Sequence, residues 1–172
     1  MNIRINNNHG FTLLELIVVL MIMAIVSTIV ISRLGSSTNS LIAQTEAIKS
    51  HIRYAQSRAM NGNLIWGINC NGSYYWLYKV NEDSSTAKVF LPGEGSEEDP
   101  DDDPYTVKLA DIYISSMETF TLSFDSWGTP YTDAAASDGQ ELETGDSEAE
   151  ITVSSGSKNI SITITPNTGF IP

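Results

Sequence analysis

Residues 10–31 read GFTLLELIVVLMIMAIVSTIVI, and the architecture turns on how this stretch is read. From Phe11 to Ile31 the chain runs 21 residues with a single charge, Glu15. At 1.5 Å per residue a helix of that length spans about 31 Å, close to the hydrocarbon core of a bilayer. A secretory signal has an apolar stretch of only about 7–15 residues with a small-residue cleavage site behind it. Here the stretch is longer and no clean A-x-A site follows, so it is expected to stay as a membrane anchor behind a short polar head, Met1 to Gly10. Arg4 and Arg33 flank it almost evenly, so the positive-inside rule gives little orientation. Glu15 is the anomaly: a carboxylate at a helix centre costs about 2.5–3.5 kcal/mol on insertion scales.

Outward from the anchor the helical pattern continues. Leu34, Leu41, Ile42, Ile48, Ile52, Ala55 and Ala59 recur at spacings of three, four and seven, with Gln44, Glu46, Lys49, Arg53, Gln56 and Arg58 between them. That is one apolar face on an amphipathic helix over 32–61. No proline falls between 11 and 60. The economical expectation is one helix of about 50 residues, roughly 75 Å long. It is weakest at GSSTNS, 35–40, and it ends at Asn61-Gly62-Asn63.

Residues 62–172 read as a β domain. LIWGINC-NG-SYYWLYKV, 64–80, is two β-rich runs about Asn71-Gly72, the preferred pair for a two-residue type I′ hairpin. Trp66, Tyr74, Tyr75, Trp76 and Tyr78 are candidates for an aromatic ligand platform, although alternation favours core and cross-strand pairing. Further strands are expected at 86–91, 105–116, 119–125, 149–154 and 158–165, with Ser155-Gly156-Ser157 turning the last pair. Two acidic loops interrupt them. In 93–104, GEGSEEDPDDDP, Asp99, Asp101, Asp102 and Asp103 are the candidate ligands for a calcium ion, but the glycine and terminal glutamate spacing of a calcium loop is missing. The second, 133–150, reads as a polar excursion. No cofactor is expected. Cys70 is the only cysteine, so no intrachain disulfide forms, and the sole histidines, His9 and His51, make no catalytic cluster with it. Nothing points to an enzyme.

The residues at the start carry a resemblance. A short polar leader ending in Gly10, then Phe11, then Glu15 five positions into the apolar run resembles the prepilin signal of type IV pilins and type II secretion pseudopilins. His9 stands where that family commonly has a lysine or arginine. The resemblance implies cleavage by a prepilin peptidase between Gly10 and Phe11 and N-methylation of Phe11. It also implies pairing of the Phe11 amine of one subunit with Glu15 of a neighbour. Two charges that are each costly in lipid then become one desolvated contact, which selects for assembly. Further on, SHIRYAQSRAMNGN, FDSWGTP and ISITITPNTGFI resemble GspH/FimT-type minor pilins, through Arg53, Ala55, Arg58, Ala59, Phe124, Gly128, Pro130, Ile164, Pro166, Thr168 and Gly169.

The fold class this implies is α+β: a long N-terminal transmembrane and amphipathic helix packed on an antiparallel, β-sandwich-like domain. The function implied is a minor (pseudo)pilin that initiates or caps a type II secretion pseudopilus or a type IV pilus. A major or adhesive surface pilin, for example of an MSHA-type pilus, is the alternative. The implied partners are other pilin or pseudopilin subunits, the prepilin peptidase, the inner-membrane assembly platform and membrane lipid. The implied location is the bacterial inner membrane, single-pass, with the distal domain in the periplasm, and then the filament.

Nucleic acid is excluded as a partner on charge. Beyond position 60 stand nineteen acids against Lys79, Lys88, Lys108 and Lys158, a net −15. Affinity for phosphate backbones comes mainly from cations that release counterions. The chain should therefore show no micromolar, steeply salt-dependent binding to double-stranded DNA in a low-salt titration; such binding would move it towards DNA uptake.

Overall fold

In the computed structural model, the structure describes residues 12–34, 37–93, 103–137, 139–142 and 149–172. The chain divides into two compact units, Met1–Ser36 and Ser37–Pro172.

The first unit holds helix α1, Leu13–Leu34, with 22 residues. Its described side chains, 13–27, are exposed throughout, from Leu13 to Val26 at 47–76% for the large apolar ones. Among the described residues no helix is long and apolar enough to cross a membrane. The expected span, 11–31, reaches beyond these side chains at both ends.

The second unit opens with helix α2, Ser37–Met60. Helix is described on both sides of Gly35-Ser36, and that pair, where the single run expected from sequence would be joined, lies outside the described residues. Leu41, Thr45, Ile48, Ile52, Ala55 and Ala59 are buried on α2 at alternating steps of four and three, one stripe down one face. Thr45 fits that stripe because its Oγ1 donates to the Leu41 carbonyl at 2.7 Å. Ile42, assigned to the same face from its spacing, is 48% exposed. It lies about 100° round the helix from Leu41, outside the stripe.

Two antiparallel sheets receive this stripe. The larger has the order β3-β2-β1-β6-β7, with β4 also pairing β2, and comprises β1 Trp66–Cys70, β2 Tyr74–Val80, β3 Thr86–Val89, β4 Val107–Lys108, β6 Phe120–Phe124 and β7 Pro130–Tyr131. The smaller has the order β5-β8-β9, with β5 Ser116–Met117, β8 Ala149–Ser155 and β9 Lys158–Ile164. Helix α2 packs on β1 and β6 of one and on β8 and β9 of the other. Trp66, Ile68, Cys70, Leu122, Phe124, Val153, Ile162 and Ile164 meet the stripe in one core. This is the α+β arrangement expected: an N-terminal helix, then a helix packed on antiparallel sheets.

Three local details differ from expectation. The β1–β2 turn is centred on Gly72-Ser73, not Asn71-Gly72: Cys70 pairs Tyr75, and Asn71 N donates to the Tyr74 carbonyl at 3.1 Å. Gly72 takes φ 90° while Ser73 is not in the left-handed region, the pattern of a II′ rather than a I′ turn. Asn71 supplies its side chain instead, Oδ1 accepting from Ser73 N and Tyr74 N. Both registers put the same residues on the same face, so hydrophobic alternation does not choose between them. Second, the strand expected over 105–116 shrinks to β4, a 3-10 turn at Leu109–Ile112 and the start of β5. Ala110-Asp111 disfavours strand, and Tyr113 turns left-handed at φ 61° so that both Leu109 and Ile114 are buried. Third, the excursion at 133–150 is tied down at its middle: Leu142 is buried, donates to the Pro130 carbonyl and accepts from Asn167 N.

Because the α2 stripe is covered within Ser37–Pro172, that unit should fold alone once α1 is deleted. Circular dichroism and gel filtration of the truncated chain should show a folded, β-containing monomer. An aggregated product would mean that the stripe needs a partner from outside the unit.

Candidate functional site

The processing residues expected from sequence, Gly10 and Phe11, lie outside the described residues. Glu15 is described, in the first turn of α1 and exposed. Its backbone N–H donates to Thr12 Oγ1 at 3.2 Å. Thr12 therefore caps α1, and T-L-L-E over 12–15 has the spacing of a capping box. Thr12 was missed in the sequence reading, although that spacing signals it. Glu15 at this end also complements the helix dipole, worth about 0.3–1 kcal/mol at an exposed site. Helix α1 thus presents an apolar surface around its circumference with one acid at its start. A helix apolar all round is stable only when lipid or other apolar helices cover it.

The second group of sequence-marked residues does come together, at the C-terminal end of α2. Ala55 and Ala59 are buried because the sheets approach α2 closely there. The Arg58 guanidinium lies 4.8 Å from the Trp66 ring, and Arg53 donates to the Ile171 carbonyl at 3.0 Å. Gln56 links the two loops that carry the remaining motif residues: its Nε2 donates to the Gly128 carbonyl at 2.9 Å and the Thr168 carbonyl at 2.8 Å. The first loop is an Asp125 turn, Oδ1 accepting from Trp127 N and Thr129 N, with Gly128 at φ 81°. The second closes with Gly169 N donating to the Thr165 carbonyl. Phe124 is fully buried between them. Gln56 had no role in the sequence reading, since a glutamine on a polar helix face carries no motif of its own. Met60, Trp127 and Phe170 are exposed at this end, Trp127 at 85%.

The remaining candidates resolve individually. Asp99, Asp101 and Asp102 lie outside the described residues. Asp103 is engaged by Lys88, with Tyr105 N donating to its Oδ1 at 3.1 Å, and the Lys88 hydrogen bond holds its carboxyl below the usual carboxylate value. Among the described residues no group of three or more His, Cys, Asp or Glu is placed to hold a metal ion. Cys70 is buried, which pushes its thiol up despite the Gly72 N–H donated to Sγ. His51 is buried with Nε2 3.1 Å from the Pro92 carbonyl and Nδ1 3.1 Å from the Tyr75 hydroxyl. A carbonyl only accepts, so Nε2 carries the proton and the tyrosine donates to Nδ1. Of the five aromatic residues, Trp66 and Tyr75 belong to the core, as alternation favoured, while Tyr74 and Trp76 lie half-buried and Tyr78 buried on the opposite face of the larger sheet.

Residues 5–31 match the family model of the prokaryotic N-terminal methylation motif. The chain carries that motif. The match is consistent with the type IV pilin and pseudopilin family, whose members are structural proteins rather than enzymes. The motif implies a precursor anchored in the inner membrane, processed by a prepilin peptidase and assembled with other pilin subunits. No curated protein and no solved structure matches the chain.

Gly169 tests the junction that Gln56 makes. It sits at φ 60°, and a Cβ there would fall 2.6 Å from Gln56 Nε2 and 2.9 Å from both the Gly128 carbonyl and the Phe124 ring. Gly169→Ala should cost about 2–4 kcal/mol through left-handed strain and overpacking. Urea denaturation should show a lowered midpoint with unchanged slope; an unchanged midpoint would mean that the loop relaxes freely.

Proposed function

We propose that the chain is a minor pilin or pseudopilin of GspH/FimT type, incorporated in, initiating or capping a type II secretion pseudopilus or a type IV pilus. The observation that carries this is the motif match at 5–31, which takes in most of α1, a helix whose described side chains are exposed all round, followed in the chain by a unit with its own core. The subfamily is supported by the sequence motifs about Gln56, whose loops meet at one end of α2.

In this reading residues 1–10 are the leader, and the peptidase cuts after Gly10 at the cytoplasmic face. Phe11 then carries a methylated amine. The segment 11–31 anchors the chain in the inner membrane with the distal unit in the periplasm, until the assembly platform draws it into the filament. Glu15 supplies the carboxylate that a neighbour's Phe11 amine meets. In a lipid-like interior that pairing is strong because each charge alone is so poorly solvated. Thr12 sits beside this role: its hydroxyl caps the helix by accepting from the Glu15 N–H, satisfying one backbone donor at the end where the carboxylate stands.

Mass spectrometry of the filament-associated protein should find an N-terminus at Phe11 bearing one methyl group. A Met1 terminus in assembled filaments would sink the proposal, and a chain that dominates purified filaments would make it a major subunit instead. Glu15→Val should leave membrane residence intact, since it makes the segment more apolar. It should reduce incorporation into filaments at least about tenfold, the loss of roughly 1.4 kcal/mol of pairing. Equal incorporation of the valine variant would rule out the pairing mechanism.

A further inference from the structure

The chain has three tryptophans, and two of them carry a cation on the ring. The Arg58 guanidinium lies 4.8 Å from the Trp66 centroid, and Lys88 Nζ lies 5.0 Å from that of Trp76. Trp127 is the third. It is 85% exposed, and among the described residues its ring has neither a cation nor an aromatic neighbour.

The backbone beneath that ring is held at several points. Asp125 Oδ1 accepts from Trp127 N and Thr129 N, both at 2.9 Å, and Gly128 N donates to the Asp125 carbonyl at 3.0 Å. Gln56 then ties the Gly128 carbonyl to the Thr168 carbonyl. Phe170, 63% exposed, stands two residues beyond Thr168, and its own carbonyl accepts from Thr165 N at 2.9 Å. Met60, 55% exposed, ends α2 against the same turn: a Cβ on Gly128 would fall 3.0 Å from its Sδ. Three large apolar side chains thus leave one braced junction for solvent. A single exposed apolar residue is ordinary, but three on a braced backbone make a contact surface that needs little further ordering to bind.

Charge selects the occupant. The Asp125 carboxylate accepts from backbone N–H groups and from the Tyr131 hydroxyl, and among the described residues no cation pairs with it. Lys49 and Arg53, the bases on this flank of α2, are turned onto the carbonyls of Ile171 and Pro172. Beyond position 60 nineteen acids stand against four lysines. A second copy brings the same excess of acid and is repelled, and so is an anionic lipid surface. A tryptophan face beside an unpaired carboxylate suits an ammonium, and a guanidinium better still, because it stacks flat on the ring while donating to the carboxylate. We propose that the Trp127 end of α2 docks a different protein, one that lays an arginine- or lysine-bearing segment across Trp127 and covers Phe170 and Met60 with the apolar side chains flanking it. The surface belongs to the distal unit and does not depend on the Glu15 pairing, so the two readings fail separately.

The test uses the full chain, labelled with 5-fluorotryptophan, in nanodiscs of neutral phosphatidylcholine. Fluorine NMR reads each tryptophan separately, and Trp127→Phe assigns the resonance in question. The probes are the blocked peptide Leu-Arg-Leu-Arg-Leu and its counterparts with citrulline or glutamate in place of arginine. Citrulline keeps the shape of arginine and removes the charge. The arginine peptide should shift the Trp127 resonance saturably, with a Kd in the millimolar range or tighter, and leave those of Trp66 and Trp76 in place. The citrulline peptide should bind about fivefold more weakly or worse. Raising salt from about 50 to about 500 mM should weaken the arginine peptide severalfold. Phe170→Ala, at an exposed side chain, should weaken it about threefold. Equal affinity for the citrulline peptide, preference for the glutamate peptide, a shift at Trp66 or Trp76 in place of Trp127, or no shift at about 10 mM overturns the proposal. A Trp127 resonance that moves with protein concentration alone would assign the surface to a second copy and overturn it as well.

Discussion

The stripe of Leu41, Thr45, Ile48, Ile52, Ala55 and Ala59 on α2 holds the distal unit together. Each sheet has an apolar face that it cannot bury alone, and the smaller has only three strands. Helix α2 covers both faces with one side. Full burial of an isoleucine is worth about 1.5–3 kcal/mol, so Ile48 and Ile52 alone contribute several kcal/mol. The stripe is also graded. Large side chains lead, and alanines at 55 and 59 let the end of the helix close onto Phe124 and the turn glycines.

That gradation explains why the polar contacts concentrate at the alanine end. Where α2 comes closest to the sheets, side chains flanking the stripe reach backbone on the other side. Gln56 and Arg53 use that reach to fasten the loops at 125–129 and 165–171. Loops on a packed domain carry carbonyls that need donors, and a helix face supplies donors without strand pairing. The left-handed glycines, Gly128 and Gly169, bring those carbonyls within reach. The junction is therefore a consequence of packing distance as much as of sequence motif.

Much of this was legible in the sequence because it rests on periodicity. The 3-4 spacing of α2, the hairpin at 66–80, β6, and the β8–β9 pair about Gly156 all follow from alternation plus turn residues. What was not legible depended on competition between local options. Asn71-Gly72 and Gly72-Ser73 are both acceptable turns, and only packing across three strands favours the latter. The stretch 105–116 alternates like a strand, but Ala110-Asp111 and a left-handed Tyr113 divert it. Ile42 has the composition of the stripe and the wrong angle. For the site, the anchor and Glu15 announce themselves by cost, since a charge in an apolar run demands an explanation. Gln56 does not, because its role exists only once two distant loops are brought to the same end of α2.

The distribution of charge completes the physical picture. The chain places nineteen of its 21 acids beyond position 60 and its densest apolar run before position 32. A strongly acidic surface keeps copies of the distal unit apart in solution. An apolar helix with a single carboxylate draws copies together only where water is absent and a cationic partner is at hand. In the proposed reading, association is thereby confined to the apolar helix and withheld from the acidic surface.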